Sequence, residues 1–301
     1  VKTYLDCYPC FLRQALDAAR YAGADEEEQR SILNSVLETL SSLDPTSTPP
    51  EIGDAIHRLV RQKTGDPDPY ADAKRKATEQ ALQLYPRLKA LVADASDPLE
   101  TALRLAIAGN IIDLAPSSSY DLWATVERVL EQPFAIEDIP AFRRALTSTD
   151  RILYLADNAG ETVFDRVLIE TLDKPVIYAV KGGPVLNDAT MDDAIAAGLD
   201  QVAQVVTTGS DAPGTVLRLC SHQFRRLYDQ GEIIVAKGQA NYETLSGEGE
   251  RLFFLLQAKC PVIAQDVGVA VGDIVLKQGS GSRRGGDWNG RVHTCTGQHR
   301  Q

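Results

Sequence analysis

The sequence predicts an α/β protein, a Rossmann-like three-layer domain preceded by an all-helical domain. Two patterns carry that prediction. Up to about residue 148 the apolar residues recur at helical spacing. Beyond residue 150, short apolar, β-branched runs alternate with helical stretches, the pattern of parallel strands joined by right-handed crossovers. The expected division is a helical domain at 1–148, a Rossmann-like α/β domain at 149–278 that carries the site, and a tail at 279–301.

In the first half, Cys10, Phe11, Ala15 and Ala18 open one helical stripe, and Ile32, Leu33, Val36, Leu37 and Leu40 form a second. The Pro-rich stretch from Asp44 to Pro50 interrupts the pattern, which resumes through Ile56, Leu59 and Val60. A long helix starts in GDPDPYADAK, with Pro69 suited to a first turn. Further helices are expected from Pro98 to Leu114, Tyr120 to Leu130 and Ile136 to Leu146, with no strand in this half.

The second half begins with the strand RILYLAD and a helix through Val163, Val167 and Leu168. PVIYAVKG and a helix through Ala194 and Ala197 follow, then QVAQVVTTG and a helix from Pro213 to Tyr228. EIIVAKGQ precedes a helix from Tyr242 to Ala258, and CPVIAQDVG is the last apolar run. Unbroken apolar runs of this length suit strands covered on both faces. The tail has four arginines against one aspartate and almost no aliphatic residues, the composition of a flexible segment; Cys295 and His293 within it are an unsupported metal pair.

Composition limits the function classes. The 301 residues carry a formal net charge of −11 and a pI near 4.9, against the basic footprint of a nucleic-acid binder. No run of ~18 apolar residues exists to span a membrane. The opening VKTYLDCYPCFLRQAL lacks the apolar core of a signal peptide, and five cysteines fit a reducing compartment better than a disulfide framework. A cytoplasmic location is therefore expected; the oligomeric state is not readable.

Open α/β sheets bind ligands at the carboxyl ends of their strands, and four of the expected turns there are polar. In LADNAGET, Asp157 and Asn158 offer hard oxygen ligands before a helix starting near Glu161, although either residue also makes a good N-cap. In VKGGPVLNDAT, Lys181 closes a strand and Asp188 is either a third oxygen ligand or a cap. In TTGSDAPGT, Ser210 and Asp211 fit an Asx turn and cap better than a site. In VAKGQANYET, Lys237 leads into Gly238, Gln239, Ala240 and Asn241, a set able to neutralise and bind phosphate. Oxygen donors without nearby His or Cys favour Mg²⁺ or Mn²⁺ over zinc, which points to metal-assisted hydrolysis of a phosphate ester.

With DNAGE at Asp157 to Glu161, LNDAT around Asp188, KGQANYE from Lys237, AGNIID around Asn110 and Asp113, and DPYADAK around Tyr70, the chain resembles the damage-control phosphatases, formerly protein-of-unknown-function family 89. The resemblance spans about residues 4 to 277. It implies a phosphatase using Mn²⁺, Co²⁺, Ni²⁺ or Mg²⁺ on small phosphorylated metabolites such as sugar phosphates. It assigns the metal to Asp157, Asn158 and Asp188, and the substrate phosphate to Lys237, Gly238, Gln239 and Asn241, with Asn110 and Glu161 at the sides. Ala240 stands where many relatives have glycine, an added methyl that narrows the loop or alters its φ preference.

Cys7-Tyr-Pro-Cys10 resembles the mark of the family's prokaryotic branch. Either a redox or zinc role, with Cys220, His222 or Cys260 as further ligands, or packing would account for the pair. His57 is read as a surface or hydrogen-bonded histidine. The alternatives to a phosphatase are an S-adenosylmethionine-dependent carboxyl methyltransferase, known within the family, and a non-catalytic nucleotide- or phosphate-binding module. The first lacks a Gly-rich first turn, and the second lacks both GxxxxGK[ST] and GxGxxG. An aspartyl-phosphate mechanism is disfavoured because Asp157-Asn158-Ala159 lacks a second aspartate.

Overall fold

The computed structural model describes residues 1–44, 46–111 and 122–281. Three N-terminal helices pack on one another: α1 (Cys7–Tyr21), α2 (Glu26–Ser41) and α3 (Pro49–Thr64). The starts of α2 and α3 are set by side chains. Asp25 Oδ1 accepts from Glu28 N at 2.9 Å while Glu28 Oε2 accepts from Asp25 N at 3.0 Å, a reciprocal cap. Phe11, Ala15, Ile32, Val36, Ile56 and Val60 form a core of their own.

The rest of the first half belongs to the sheet. Helices α4 (Ala71–Ala93), α5 (Pro98–Ile111) and α6 (Leu122–Glu131) lead to strand β1 (Phe134–Glu137) and helix α7 (Ile139–Ser148). Strand β1 corrects the expectation of no strand before residue 148, and the helix expected from Ile136 begins at Ile139. Four residues alternating half-buried and exposed at a sheet edge give too short a period to stand out from the helical stretches around them. The expected helix end at Leu114, its Asp113, and the start at Tyr120 lie outside the described residues, as do Cys295 and His293.

The remaining elements are β2 (Ile152–Leu155), α8 (Thr162–Thr171), β3 (Val176–Val180), α9 (Met191–Ala196), β4 (Gln204–Thr207), α10 (His222–Asp229), β5 (Ile233–Lys237), α11 (Gly238–Leu245), β6 (Leu252–Gln257), α12 (Pro261–Val267) and β7 (Ile274–Gln278). The sheet order is β1-β7-β6-β5-β2-β3-β4. Strands β2 to β6 are parallel, and β7 pairs antiparallel with β6.

Three expected elements are corrected here. The helix expected from Tyr242 to Ala258 is α11 followed by β6; Gly247 and Gly249 break it. The run CPVIAQDVG is helix α12, with Pro261 in its first turn and Gly268 closing it at φ 87°. The helix expected from Pro213 forms only at His222, where Ser221 Oγ accepts from Phe224 N at 3.1 Å; a short 3₁₀ turn at Leu217–Leu219 precedes it. His57 is buried, not a surface residue, and its Nε2 has no hydrogen-bond partner among the described residues.

Successive strand residues point to opposite faces, and the sheet uses both. Tyr154, Tyr178, Val235 and Phe253 pack with α5 and α8. Leu153, Ile177, Ala236 and Phe254 pack with α10, α11 and α12. This is the three-layer α/β arrangement that the sequence predicts, with one layer drawn partly from the first half of the chain. The chain leaves β2 toward β3 and β4, then returns across β2 to β5. The carboxyl ends of β2 and β5 are therefore neighbours at the point where the order reverses, the usual crevice for ligands. Among the described residues, no helix is long and apolar enough to cross a membrane.

Candidate active site

At the carboxyl end of β2 the chain turns through Asp157, Asn158, Ala159 and Gly160 into Glu161 and α8. The turn after β3 is stitched to it by the backbone. Ala189 N donates to Asp157 O at 2.7 Å, Ala159 N donates to Asn187 O at 2.8 Å, and Asn158 faces Asp188 in an antiparallel bridge. Two carboxylates and an amide, thirty residues apart in sequence, thereby share one corner. Leu186, with φ 47°, is the one non-glycine residue described in the left-handed region. Its side chain packs against the core of α1 to α3, so the helical cap supports the turn that bears Asp188.

The fourth turn closes on the same point. Gly238, at φ 78°, starts α11 directly against Asp157, and a Cβ there would lie 1.8 Å from Asp157 Oδ2. Only glycine allows that approach. A second close approach, at Gly214 (φ 62°), seats the third turn on α11: a Cβ there would lie 2.4 Å from Ala240 O.

Beneath these turns lies a buried polar cluster. Asn110 Nδ2 donates to Asp157 Oδ2 at 2.7 Å and to Glu161 Oε2 at 3.1 Å. Asn158 Nδ2 donates to the same two oxygens at 3.1 Å each. Lys237 is fully buried, and its ammonium donates to Glu161, to Asp165 Oδ1 at 2.6 Å and to Ala106 O at 2.9 Å. Lys181 donates to Gly214 O and lies 3.3 Å from Asp188 Oδ2.

The electrostatics follow from burial and crowding. Removal from water, with Glu161 and Asp188 close by, pushes the Asp157 carboxyl well above the usual carboxylate range. Burial also raises Asp188, although Lys181 opposes it. Burial alone would lower the Lys237 ammonium, but Asp165 and Glu161 outweigh it and hold it above its ordinary value. Four carboxylates (Asp157, Glu161, Asp165, Asp188) meet two ammonium groups (Lys181, Lys237) in this cluster.

Above the cluster opens a cavity of about 740 Å³ between α1, α3 and the strand ends, lined among others by Asp157, Asn158, Asp188, Gln239, Ala240 and Lys259. Asp157, Asn158 and Asp188 thus meet as the sequence reading expected, with Asn110 and Glu161 against them. Lys237 and Asn241 are placed differently. The Lys237 ammonium is turned away from the cavity into the carboxylates below. Asn241 is fully buried, donating to Ala156 O at 3.1 Å and Lys237 O at 2.8 Å. Ser210 and Asp211 serve the scaffold: Ser210 Oγ accepts from Ala212 N at 3.2 Å, and Asp211 accepts from Arg61 at 2.9 Å.

Three charged residues escaped the sequence reading of the site. Lys181 was visible as a strand end before Gly-Gly-Pro. Lys259 ends the β6 connection, a position hidden once β6 was read as helix. Asp165 carries no sequence signal, being one helical turn beyond Glu161. Cys7, Cys10 and Cys260 line the cavity, whereas Cys220 is buried against the sheet. No group of three or more His, Cys, Asp or Glu placed to hold a metal occurs among the described residues, so a cation here would depend on the Asn158 amide oxygen besides Asp157 and Asp188.

Residues 3–275 match the damage-control phosphatase ARMT1-like domain. An uncharacterised protein of Methanocaldococcus jannaschii is 36% identical over 289 residues, covering 92% of this chain and 95% of that protein. A damage-control phosphatase of Pyrococcus horikoshii is 33% identical, covering 91% of this chain and 97% of the relative. One from Archaeoglobus fulgidus is also 33% identical, at 90% and 97% coverage. The crystal structure of a DUF89 family protein from Pyrococcus horikoshii superposes with a TM-score of 0.86 at 32% identity, covering 93% of this chain and all of that one. With strand-end turns, buried cluster and whole-chain similarity in agreement, the chain belongs to the damage-control phosphatase ARMT1-like family.

Proposed function

We propose that the protein is a divalent-cation-dependent phosphatase that hydrolyses small phosphorylated metabolites by direct attack of water. The observation that carries this reading is the meeting of Asp157, Asn158 and Asp188 beneath the cavity at the β2–β5 switch point. The donors fit a hard cation: two carboxylate groups and an amide oxygen suit Mg²⁺ or Mn²⁺, and Co²⁺ or Ni²⁺ by affinity order. When bound, such an ion would withdraw charge from a phosphoryl oxygen and acidify water.

The chain's own groups supply the remainder. The first turn of α11, at Gly238, Gln239 and Ala240, offers backbone N–H groups that the helix itself leaves unused, a natural seat for phosphate oxygens. Lys259 lines the same cavity, and its charge reaches Asp157. It therefore takes the phosphate-neutralising role that the resemblance gave to Lys237, whose ammonium is committed to Glu161 and Asp165. The cavity walled by α1 and α3, about 740 Å³, has room for a small metabolite.

The test is p-nitrophenyl phosphate hydrolysis by metal-stripped protein titrated with Mg²⁺, Mn²⁺, Co²⁺ and Ni²⁺, beside Asp157→Ala. Metal-dependent release that falls at least ~100-fold in the variant is expected. Release at the parent rate from folded Asp157→Ala would overturn the site.

A further inference from the structure

An asparagine side chain can present a cation with its oxygen or repel it with its NH₂ end, and the two ends are nearly isosteric. What faces the NH₂ end therefore decides whether Asn158 is a ligand. Its Nδ2 lies 3.1 Å from Asp157 Oδ2 and 3.1 Å from Glu161 Oε2. Glu161 Oε2 already accepts from Asn110 Nδ2 and from the Asn158 backbone N–H, so it is an acceptor; the NH₂ end of Asn158 faces it and Oδ1 is the opposite end. Asp157 alone would offer one acceptor. Glu161 adds the second, and its Oε2 also takes Nδ2 of Asn110 and the backbone N–H of Asn158, at 3.1 and 3.4 Å.

Glu161 can hold that role only if its own charge is held, because it is buried. Lys237 supplies the counter-charge at Oε1. Lys237 is itself anchored from the far side by Asp165, whose Oδ1 accepts from the ammonium at 2.6 Å and from Tyr154 OH at 2.7 Å. Tyr178 OH donates to the other oxygen, Oδ2, at 2.7 Å. Asp165, Lys237, Glu161 and the two tyrosines are all almost wholly buried, and the chain of contacts runs unbroken from the tyrosine pair to Asn158.

We infer that Asp165 is a positioning residue: through Lys237 and Glu161 it locks the Asn158 amide with Oδ1 toward the cavity, and so sets the affinity of the site for a divalent cation. The inference rests on the reading of Asp157, Asn158 and Asp188 as a cation site. Lys237 is then the middle of an orienting relay, not a substrate contact.

The experiment measures Mn²⁺ binding by the electron paramagnetic resonance signal of free Mn²⁺, in parent, Asp165→Asn, Glu161→Gln and Tyr178→Phe, each checked for a cooperative thermal transition. The dissociation constant is expected to rise about tenfold or more in Asp165→Asn and Glu161→Gln, the size reported for groups that orient metal ligands. Tyr178→Phe, which keeps every charge, is expected to shift it two- to threefold and covers the case in which Asp165→Asn fails to fold. A purely structural role would lower the melting temperature and leave the affinity of the folded protein unchanged. That result, in Asp165→Asn or, if it does not fold, in Tyr178→Phe, overturns the inference. A parent that binds Mn²⁺ but hydrolyses no phosphate ester would sink only the proposed activity. A parent that binds no Mn²⁺ would sink both.

Discussion

Gly238 and Lys259 are single residues whose roles separate stability from binding. At Gly238 a side chain would face both a left-handed backbone and the Asp157 carboxylate. The backbone penalty alone is about 1–2 kcal/mol, and displacement of Asp157 adds to it. Gly238→Ala should therefore lower the denaturation midpoint and remove most hydrolysis, both read on one preparation. Lys259 is exposed and supports no part of the core. Lys259→Met should raise KM for a phosphate ester at least ~10-fold while stability stays within about 0.5 kcal/mol. Equal KM in the variant would return the phosphate-binding role to other groups. The glycine was legible in the sequence as part of a polar turn. The reason for it was not, because the contact with Asp157 joins residues eighty-one positions apart.

At the scale of elements, the turn between β3 and α9 is held from outside the sheet. Arg61 on α3 donates to Pro184 O at 2.9 Å and to Asp211 Oδ2 at 2.9 Å, tying that turn and the next to the helical cap. Leu186 adds an apolar tie to the same cap. Arg61→Ala should cost about 1–3 kcal/mol of stability, the range for a partly buried charged hydrogen-bond donor. It should also weaken Mn²⁺ binding, because Asp188 sits on the released turn; a urea unfolding curve measures the first effect and a calorimetric titration with Mn²⁺ the second. Helices with strong side-chain starts, such as α2 and α3, were legible from their apolar stripes. Strands β1, β6 and β7 were not. β1 is a four-residue edge strand, β7 lies past a helix-forming run misread as a strand, and β6 is apolar enough to pass for a buried helix.

For the whole molecule, acid stability carries the imprint of His57. Burial, with Arg61 nearby, lowers its pKa from 6.5 to about 3 in the folded protein. A depressed folded value means that its contribution is fully present above pH 6.5 and is lost as pH falls toward about 3. Between pH 7 and pH 5 that loss amounts to about 2 kcal/mol. His57→Leu should therefore lose less stability than the parent over the same interval, as followed by urea midpoints at both pH values. Parallel losses in the two proteins would show that His57 takes up no proton on unfolding.

The sequence by itself determined the class of the fold and which polar turns meet at one edge of the sheet. Burial on both faces forces unbroken apolar runs, and those runs deliver polar turns to one edge of a parallel sheet. It also named Asp157, Asn158 and Asp188, since hard oxygen donors at strand ends stand out locally. Only the tertiary structure decided what Lys237 does. A lysine at a strand end reads as a surface cation until the helices α5 and α8 close over it and supply Ala106 O, Glu161 and Asp165. Side-chain direction and charge pairing across layers depend on packing, and the pattern of residues along a chain does not encode them locally.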